Sequence, residues 1–379
     1  MSPTEEAVTV IAYVCFLLSL LGYCGHLFAQ VSARRVATAT AGLQPAMAGG
    51  GGTATMTLGG SGTGDTGSPS GVAWPWAGRM GVGALVLAWA FLTLAIGMRW
   101  VSADHPPYVS LYDITTMLVW GTTTIYLLLF EVWMKTRAVG AFLVLIVFLL
   151  HSYAVLLIPE SLKGTAPLVP ALRDPFLLIH VSIAILSYSS FTVAAGAALL
   201  YLVKYYQLGS WTRVLPSTAL ADEFIFRAVA IGFPMQSLVL VTGAYWAQHA
   251  WAKAWSWDPK EIWALITWLT YAAFLHVRVQ RGWRGSTMAW LALVGFAVVM
   301  ITFVGVNWLV SVFGLPNSMH TYSGENLPGM ALFLLFLGVL IVLVGSIMWK
   351  DIRRRRTMTS SQITRAIAAR DEALEPDGG

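Results

Sequence analysis

Stretches of about twenty apolar residues, each enough for one helical crossing of a bilayer, recur along the whole chain. About nine can be drawn, at roughly 8–29, 81–100, 113–133, 139–158, 175–203, 223–246, 261–279, 287–309 and 329–349. A segment in lipid must satisfy its own backbone N–H and C=O groups, so each run is expected to be a helix. The fold class that follows is an all-α polytopic membrane protein. Composition agrees: of 379 residues, 57% are hydrophobic and 11% charged, where soluble domains carry roughly a quarter charged residues. The opening MSPTEEAVTV is acidic and lacks the basic start of a cleavable signal peptide, so the first run is expected to stay as a span.

Lysine and arginine orient the chain. With the N-terminus outside, the inner loops hold Arg34, Arg35, Arg79, Lys135, Arg137, Lys204, Arg213, Arg278, Arg281 and Arg284. An inner C-terminus adds Lys350 and the run Arg353 to Arg356, while the outer loops keep only Arg99, Lys163, Arg173, Lys253 and Lys260. An excess of basic residues on the cytoplasmic side and an odd number of spans fit together. The chain then divides into a first transmembrane helix at 1–35 and a flexible Gly/Ala/Thr-rich inner linker at 36–80. A transmembrane core at 81–349 and a basic cytoplasmic tail at 350–379 complete it. The linker has almost nothing apolar to bury against the entropy of ordering it. The net charge of +5 comes from clusters beside apolar runs, without the basic and aromatic stripe that nucleic-acid binding would need. Cys15 and Cys24 lie nine residues apart in the first run, on opposite sides of a helix, which excludes a CxxC pair.

The densest chemical signal is GAYWAQHAWAKAWSWDPKE, residues 243–261. Trp246, Trp251, Trp255, Trp257 and Trp263 fall within eighteen residues, around the tetrad Asp258, Pro259, Lys260 and Glu261. Tryptophan suits a membrane–water boundary, and this density suggests a flat aromatic platform for a large planar ligand. The tetrad also reads as a helix start, with Asp258 as cap, Pro259 at the first helical position and Glu261 reaching back as in a capping box. Asp174-Pro175 gives the same signal for the fifth run.

Three histidines frame that stretch. His180, six residues past Asp174, should lie about 9 Å below the outer end of its helix, and His320 falls in the outer loop NSMHTYSG. His276, fifteen residues past Glu261, should lie about 22 Å deeper, near the inner face. His26, near the inner end of the first run, is the candidate within the chain to face it. His249 offers no spacing clue, and His105 reads as a loop residue. A lone histidine inside a membrane can equally serve as an interhelical hydrogen-bonding group. An aromatic shelf with two neutral imidazoles suits axial ligation of haem iron. No HExxH, no phosphate-binding GxxxxGK[ST] and no Ser/His/Asp grouping is present.

The segment WAQHAWAKAWSWDPKEIWALITWLTYAAFLHVR resembles the tryptophan-rich (WWD) haem-handling family, in particular its CcsA/ResC-type members in System II cytochrome c maturation. The patches LLIHVSIAILSYSSF and MHTYSG agree with it. The resemblance implies carriage of haem b across a bacterial or thylakoid membrane, here the bacterial cell membrane, and its presentation to the Cys-x-x-Cys-His site of an apocytochrome c. It implies a ResB/Ccs1-type partner and a thioredoxin-like thiol reductant. It also implies His180 and His320 as axial ligands of outward-facing haem, and His276 as a ligand of haem within the membrane, opposite a ligand from the partner. The residues Trp246 to Glu261 would hold the outer haem's face and edge. The chain departs from the family pattern in having Ala252 where glycine is common, Ala254 where an aromatic is common, and Thr321 for serine. Two other readings stand beside this one: a CcmC-like loader of a separate haem chaperone, usually with about six spans, and a non-catalytic membrane scaffold anchored by its tryptophans. The sequence offers no separate general acid or base, so any part in a cytochrome c synthase would rest on positioning haem against the thiols.

Overall fold

The computed structural model describes residues 2–41, 75–133, 138–164, 168, 170–207, 210–306 and scattered positions between 338 and 353. Among the described residues every regular element is helical. In chain order the main helices are α1 (Pro3–Ala41), α2 (Pro75–Ala103), α3 (Leu111–Tyr126), α4 (Ala138–Ser152), α5 (Pro175–Tyr205), α6 (Thr218–Trp251), α7 (Pro259–Gln280) and α8 (Ser286–Met300). Helix α3 continues as a wider π-type turn from Leu127 to Trp133, and α4 and α8 end in similar turns. Two compact units divide the chain, Met1–Gly324 and Glu325–Gly379. In the second, Arg353 lies 4.9 Å over the Trp349 ring.

Seven helical stretches are long and apolar enough to cross a membrane: Pro3–Ala33, Trp76–Ala103, Val139–Leu157, Pro175–Tyr205, Thr218–Trp251, Pro259–Gln280 and Ser286–Phe303. The expected run 113–133 is helical as well, while 329–349 falls mostly outside the described residues. Large apolar side chains face outward on these helices, among them Leu21, Phe28, Leu87 and Val101. Lipid covers such surface without cost, so the chain is an all-α polytopic membrane protein. Helix α1 runs to Ala41 and α2 starts at Pro75, inside the segment expected as linker, and residues 42–74 lie outside the described residues.

Helix α5 is the axis of the first unit. Nearly every residue from Ser187 to Val203 is buried, against α3, α4, α6 and α8. Its sequence there, SYSSFTVAAGAALLYLV, is rich in small residues that let backbones approach closely. On α6, Gly232 serves the same contact, since a Cβ there would come within 2.7 Å of the Phe191 ring. Where no aqueous driving force presses helices together, such fit decides which helices pair.

Buried charges show that successive helices alternate in direction. Arg99, near the end of α2, bonds Glu5 at the start of α1 at 3.0 Å and Asp113 at the start of α3. At the opposite end of the unit, Arg278 near the end of α7 bonds Asp222 at the start of α6 at 2.7 Å. Asp222 also accepts the Gly285 N–H at 2.9 Å, which ties the α7–α8 turn to the same carboxylate. Removing one partner would leave a charge in a dry interior, so these pairs lock the helix ends. His151 on α4 is a core residue, packed edge-on against Phe16 of α1 at 5.3 Å.

Candidate functional site

The site grows from two helix ends that meet. Asp174 starts α5 by accepting the Phe176 N–H at 2.8 Å, with Pro175 at the first helical position, as the sequence signal required. This places His180 nearly two turns into α5, half-buried against α6. Its Nδ1 lies 3.3 Å from Thr242 Oγ1, and its ring lies within 13° of parallel to that of Trp246, with centroids 6.3 Å apart. Gly243 makes the approach possible: a Cβ there would fall 2.8 Å from His180 Cε1.

Trp246 belongs to an apolar cluster with Tyr108 and Leu177, with Leu172, Val181 and Trp251 packed around it. Trp246 is 3% exposed, so what the structure gives it is a packing role. Tyr108 comes from the loop between α2 and α3 and donates to the Leu172 carbonyl at 3.2 Å. Burial pushes its phenol above the ordinary tyrosine range, which keeps it a neutral donor. Nothing in the sequence singled out Tyr108, Thr242 or Gly243, because each meets its partner only through tertiary packing.

The tryptophan-rich stretch is more helical than its composition suggested. Helix α6 continues to Trp251, past the boundary expected at 246, and only residues 252–258 form a loop. Its rings do not form one flat shelf. Trp246 and Trp251 meet edge to face at 4.7 Å and 76°, and Trp255 and Trp257 at 5.8 Å and 90°. Aromatic quadrupoles favour such T-shaped pairs over a face-to-face stack. The result is two aromatic corners in place of the expected platform. Ala252 ends α6 with φ 57°, in the left-handed region that a glycine would occupy more easily. Trp257 also has φ 58° and is 67% exposed, a combination uncommon for a bulky residue.

Glu261 holds Trp257 in that position. Its Oε2 accepts the N–H of Ser256 at 2.8 Å and the N–H of Asp258 at 3.1 Å, on either side of Trp257. Asp258, buried, accepts the Lys260 N–H at 2.9 Å and completes the capping box, with Pro259 at the first helical position and Lys260 half-buried. The carboxylates of the tetrad are thus engaged by the loop and by the start of α7. Glu261 has a precise local task, which is to turn the Trp257 ring outward.

The other histidines occupy distinct settings. On α7 the buried residues are Thr267, Tyr271, Phe274 and Arg278, all within about 60° around the helix axis. His276 lies about 180° from them and is exposed, on the side of α7 away from its packing against α6 and α8. His26 packs on α2, where a Cβ on Gly78 would lie 3.0 Å from its Nδ1, and its Nε2 is 2.9 Å from the Gln30 amide nitrogen. Both histidines lie toward the end of the unit remote from the tryptophans, on different helix pairs. His249 bonds back to the Tyr245 carbonyl at 2.9 Å and sits with Tyr245 and Phe176 in an aromatic group on the α5–α6 flank. His105 is a loop residue beside Tyr108. His320 lies outside the described residues. Among the described residues no three His, Cys, Asp or Glu side chains converge on a metal position. What the described site offers is an oriented imidazole beside aromatic rings, suited to a planar ligand that takes one nitrogen donor from this wall.

Comparison with known proteins gives a consistent result. The cytochrome c assembly protein family matches residues 108–313, which span α3 to α8 and include the tryptophan stretch, His180 and His276. The cytochrome c biogenesis protein CcsA of Guillardia theta is 36% identical over 269 residues, covering 65% of this chain and 86% of that protein. CcsA of Microcystis aeruginosa is 33% identical over 293 residues, covering 64% of this chain and 87% of its own length. CcsA of Chlamydomonas reinhardtii is 34% identical over 250 residues, covering 65% of this chain and 68% of its own.

Proposed function

Since this chain belongs to the cytochrome c assembly protein family and is of the CcsA type, we propose that it carries haem b across the membrane and presents it for attachment to apocytochrome c. The observation that carries this reading is the His180 ring, set on Gly243 and parallel to Trp246 beside the tryptophan-rich loop. Haem is a broad apolar disc whose iron takes imidazole nitrogen and whose carboxylates seek donors. His180 supplies one axial nitrogen, and His320, from the segment beyond α8, supplies the other. The exposed Trp257 and the half-buried Trp251 and Trp255 meet the disc as aromatic corners, and Lys260 stands in the first turn of the helix that follows the loop. Asp258 and Glu261 hold the loop that presents them, with Pro259 fixing the first turn of α7.

The distribution of Lys and Arg supports an outer-face position for this loop, with the N-terminus outside and the C-terminus in the cytoplasm, in what this reading takes to be a bacterial plasma membrane. His276 then lies near the inner face on the unburied side of α7, where a ResB/Ccs1-type partner can supply the opposite ligand. Attachment adds the two thiols of a Cys-x-x-Cys-His segment to the haem vinyl groups, and a thioredoxin-like reductant keeps those thiols reduced. This chain's part is positioning: it brings one reactant to the other in a fixed orientation.

The test is the visible spectrum of the protein purified with its partner. Soret and α/β bands are expected, and their absence would overturn the reading. His180→Ala and His320→Ala should each stop cytochrome c maturation, whereas full maturation in both would remove them as ligands. Haem bound through His276 should disappear when the partner is omitted. If maturation required a separate haem chaperone in place of that partner, the CcmC-like assignment would replace this one.

A further inference from the structure

His180 can serve as a ligand through either ring nitrogen, and its surroundings select one. Thr242 Oγ1 lies 3.3 Å from His180 Nδ1. A hydroxyl has a single proton, and that of Thr242 is directed at the Leu238 carbonyl one turn back, at 2.7 Å. The oxygen therefore faces the imidazole with a lone pair, which only an N–H can satisfy. Nδ1 carries the proton, and in a neutral imidazole the lone pair then resides on Nε2. Gly243 fixes the direction. A Cβ built there would lie 2.8 Å from Cε1 and 3.2 Å from Nδ1 but 3.7 Å from Nε2, so the ring rests on α6 by its Nδ1–Cε1 edge. Trp246, three residues on, keeps the ring plane parallel to its own.

Resting on the reading of His180 as a haem ligand, we propose that Thr242 and Gly243 are positioning residues that hold His180 in the tautomer and orientation presenting Nε2 to the haem iron. The same logic governs histidines at metal centres generally, where a hydrogen bond to the far nitrogen sets the tautomer and its loss weakens metal binding by 10- to 100-fold. Here the hydrogen-bond acceptor is a hydroxyl on a neighbouring helix, so the device depends on the α5–α6 contact.

The experiment uses the full-length chain with its partner. Nitrogen NMR of 15N-histidine-labelled, haem-free protein should show the His180 signal, identified by its loss in His180→Ala, as the Nδ1–H tautomer. Thr242→Val, which keeps shape and removes the acceptor, should give a mixture of tautomers, and Thr242→Ser should restore the single form. In the haem-loaded complex Thr242→Val should weaken haem binding about tenfold or more, with Thr242→Ser near wild type. Gly243→Ala should displace the ring and reduce the Soret band. A wild-type His180 protonated on Nε2, or a tautomer unmoved by Thr242→Val, would overturn the proposal. An unaltered haem spectrum in His180→Ala would instead overturn the ligand reading on which it rests.

Discussion

The two histidines proposed above to meet haem, His180 and His276, lie toward opposite ends of one helical unit and are held in opposite ways. His180 is half-buried against residues of its own chain: a hydroxyl beside Nδ1, a glycine under the ring and an indole parallel to it. His276 projects from the side of α7 that the described helices leave uncovered. The surroundings differ likewise. Around His180 the order comes from helix caps and from the close, uncharged contact of α5 with α6. Near His276 it comes from the long-range pair Arg278–Asp222, which fastens the end of α7 to the start of α6. The comparison teaches that one chain can fix the surroundings of one histidine through its own helix packing and leave another on an uncovered face.

The largest expected effect that would sharpen this contrast is at Arg278. Arg278→Met should leave Asp222 as an unpaired buried charge and lower stability by about 3–5 kcal/mol, measured as the thermal midpoint in detergent. It should loosen His276 while the His180 tautomer signal persists, and equal disturbance of both histidines would break the comparison. The double variant Arg278→Met/Asp222→Leu should recover much of the loss, because no charge is then stranded. A smaller effect is expected at Glu261. Glu261→Ala should cost about 1 kcal/mol through the lost cap and release Trp257, read as a changed 19F signal of labelled tryptophan assigned with Trp257→Phe. Glu261→Gln keeps an oxygen acceptor for the two N–H groups and should retain the wild-type signal. A Gln variant as disturbed as the Ala variant would show that the charge matters more than the clamp. The smallest effect is expected at Ala252. Its left-handed backbone suits glycine, so Ala252→Gly should change stability by about 1 kcal/mol or less, in the stabilising direction. A lowered melting midpoint would show that the alanine methyl has a packing role.

Helix starts were the most legible features of the chain. Asp174-Pro175 and Asp258-Pro259-Lys260-Glu261 act within a few residues, and both caps form as the sequence required. The end of α6 was less legible, since tryptophan and alanine after residue 246 suit a helix and a boundary loop equally well. Ring geometry was not legible at all. Five tryptophans in a short stretch suggested a shelf, and the folded chain sets four of them in two perpendicular pairs. The face on which His276 lies was hidden for a different reason. The buried face of α7 carries the polar Thr267 and Arg278, so the apolar residues of this helix do not mark the side its neighbours cover.

By itself, then, the sequence determined that this is a bundle of apolar helices in lipid, where several of those helices begin, and which residues belong to a cytochrome c assembly protein. These follow from local forces: backbone groups with no water to bond, and side chains that reach three residues back to cap a helix. Only the tertiary structure decided that His180 would meet Thr242, sixty-two residues further along the chain, and that Gly243 would let the two helices close on the ring. The physical reason is that α5 and α6 pair through shape. Small residues allow the approach, and the partner that His180 meets depends on where a hydroxyl on the other helix comes to rest.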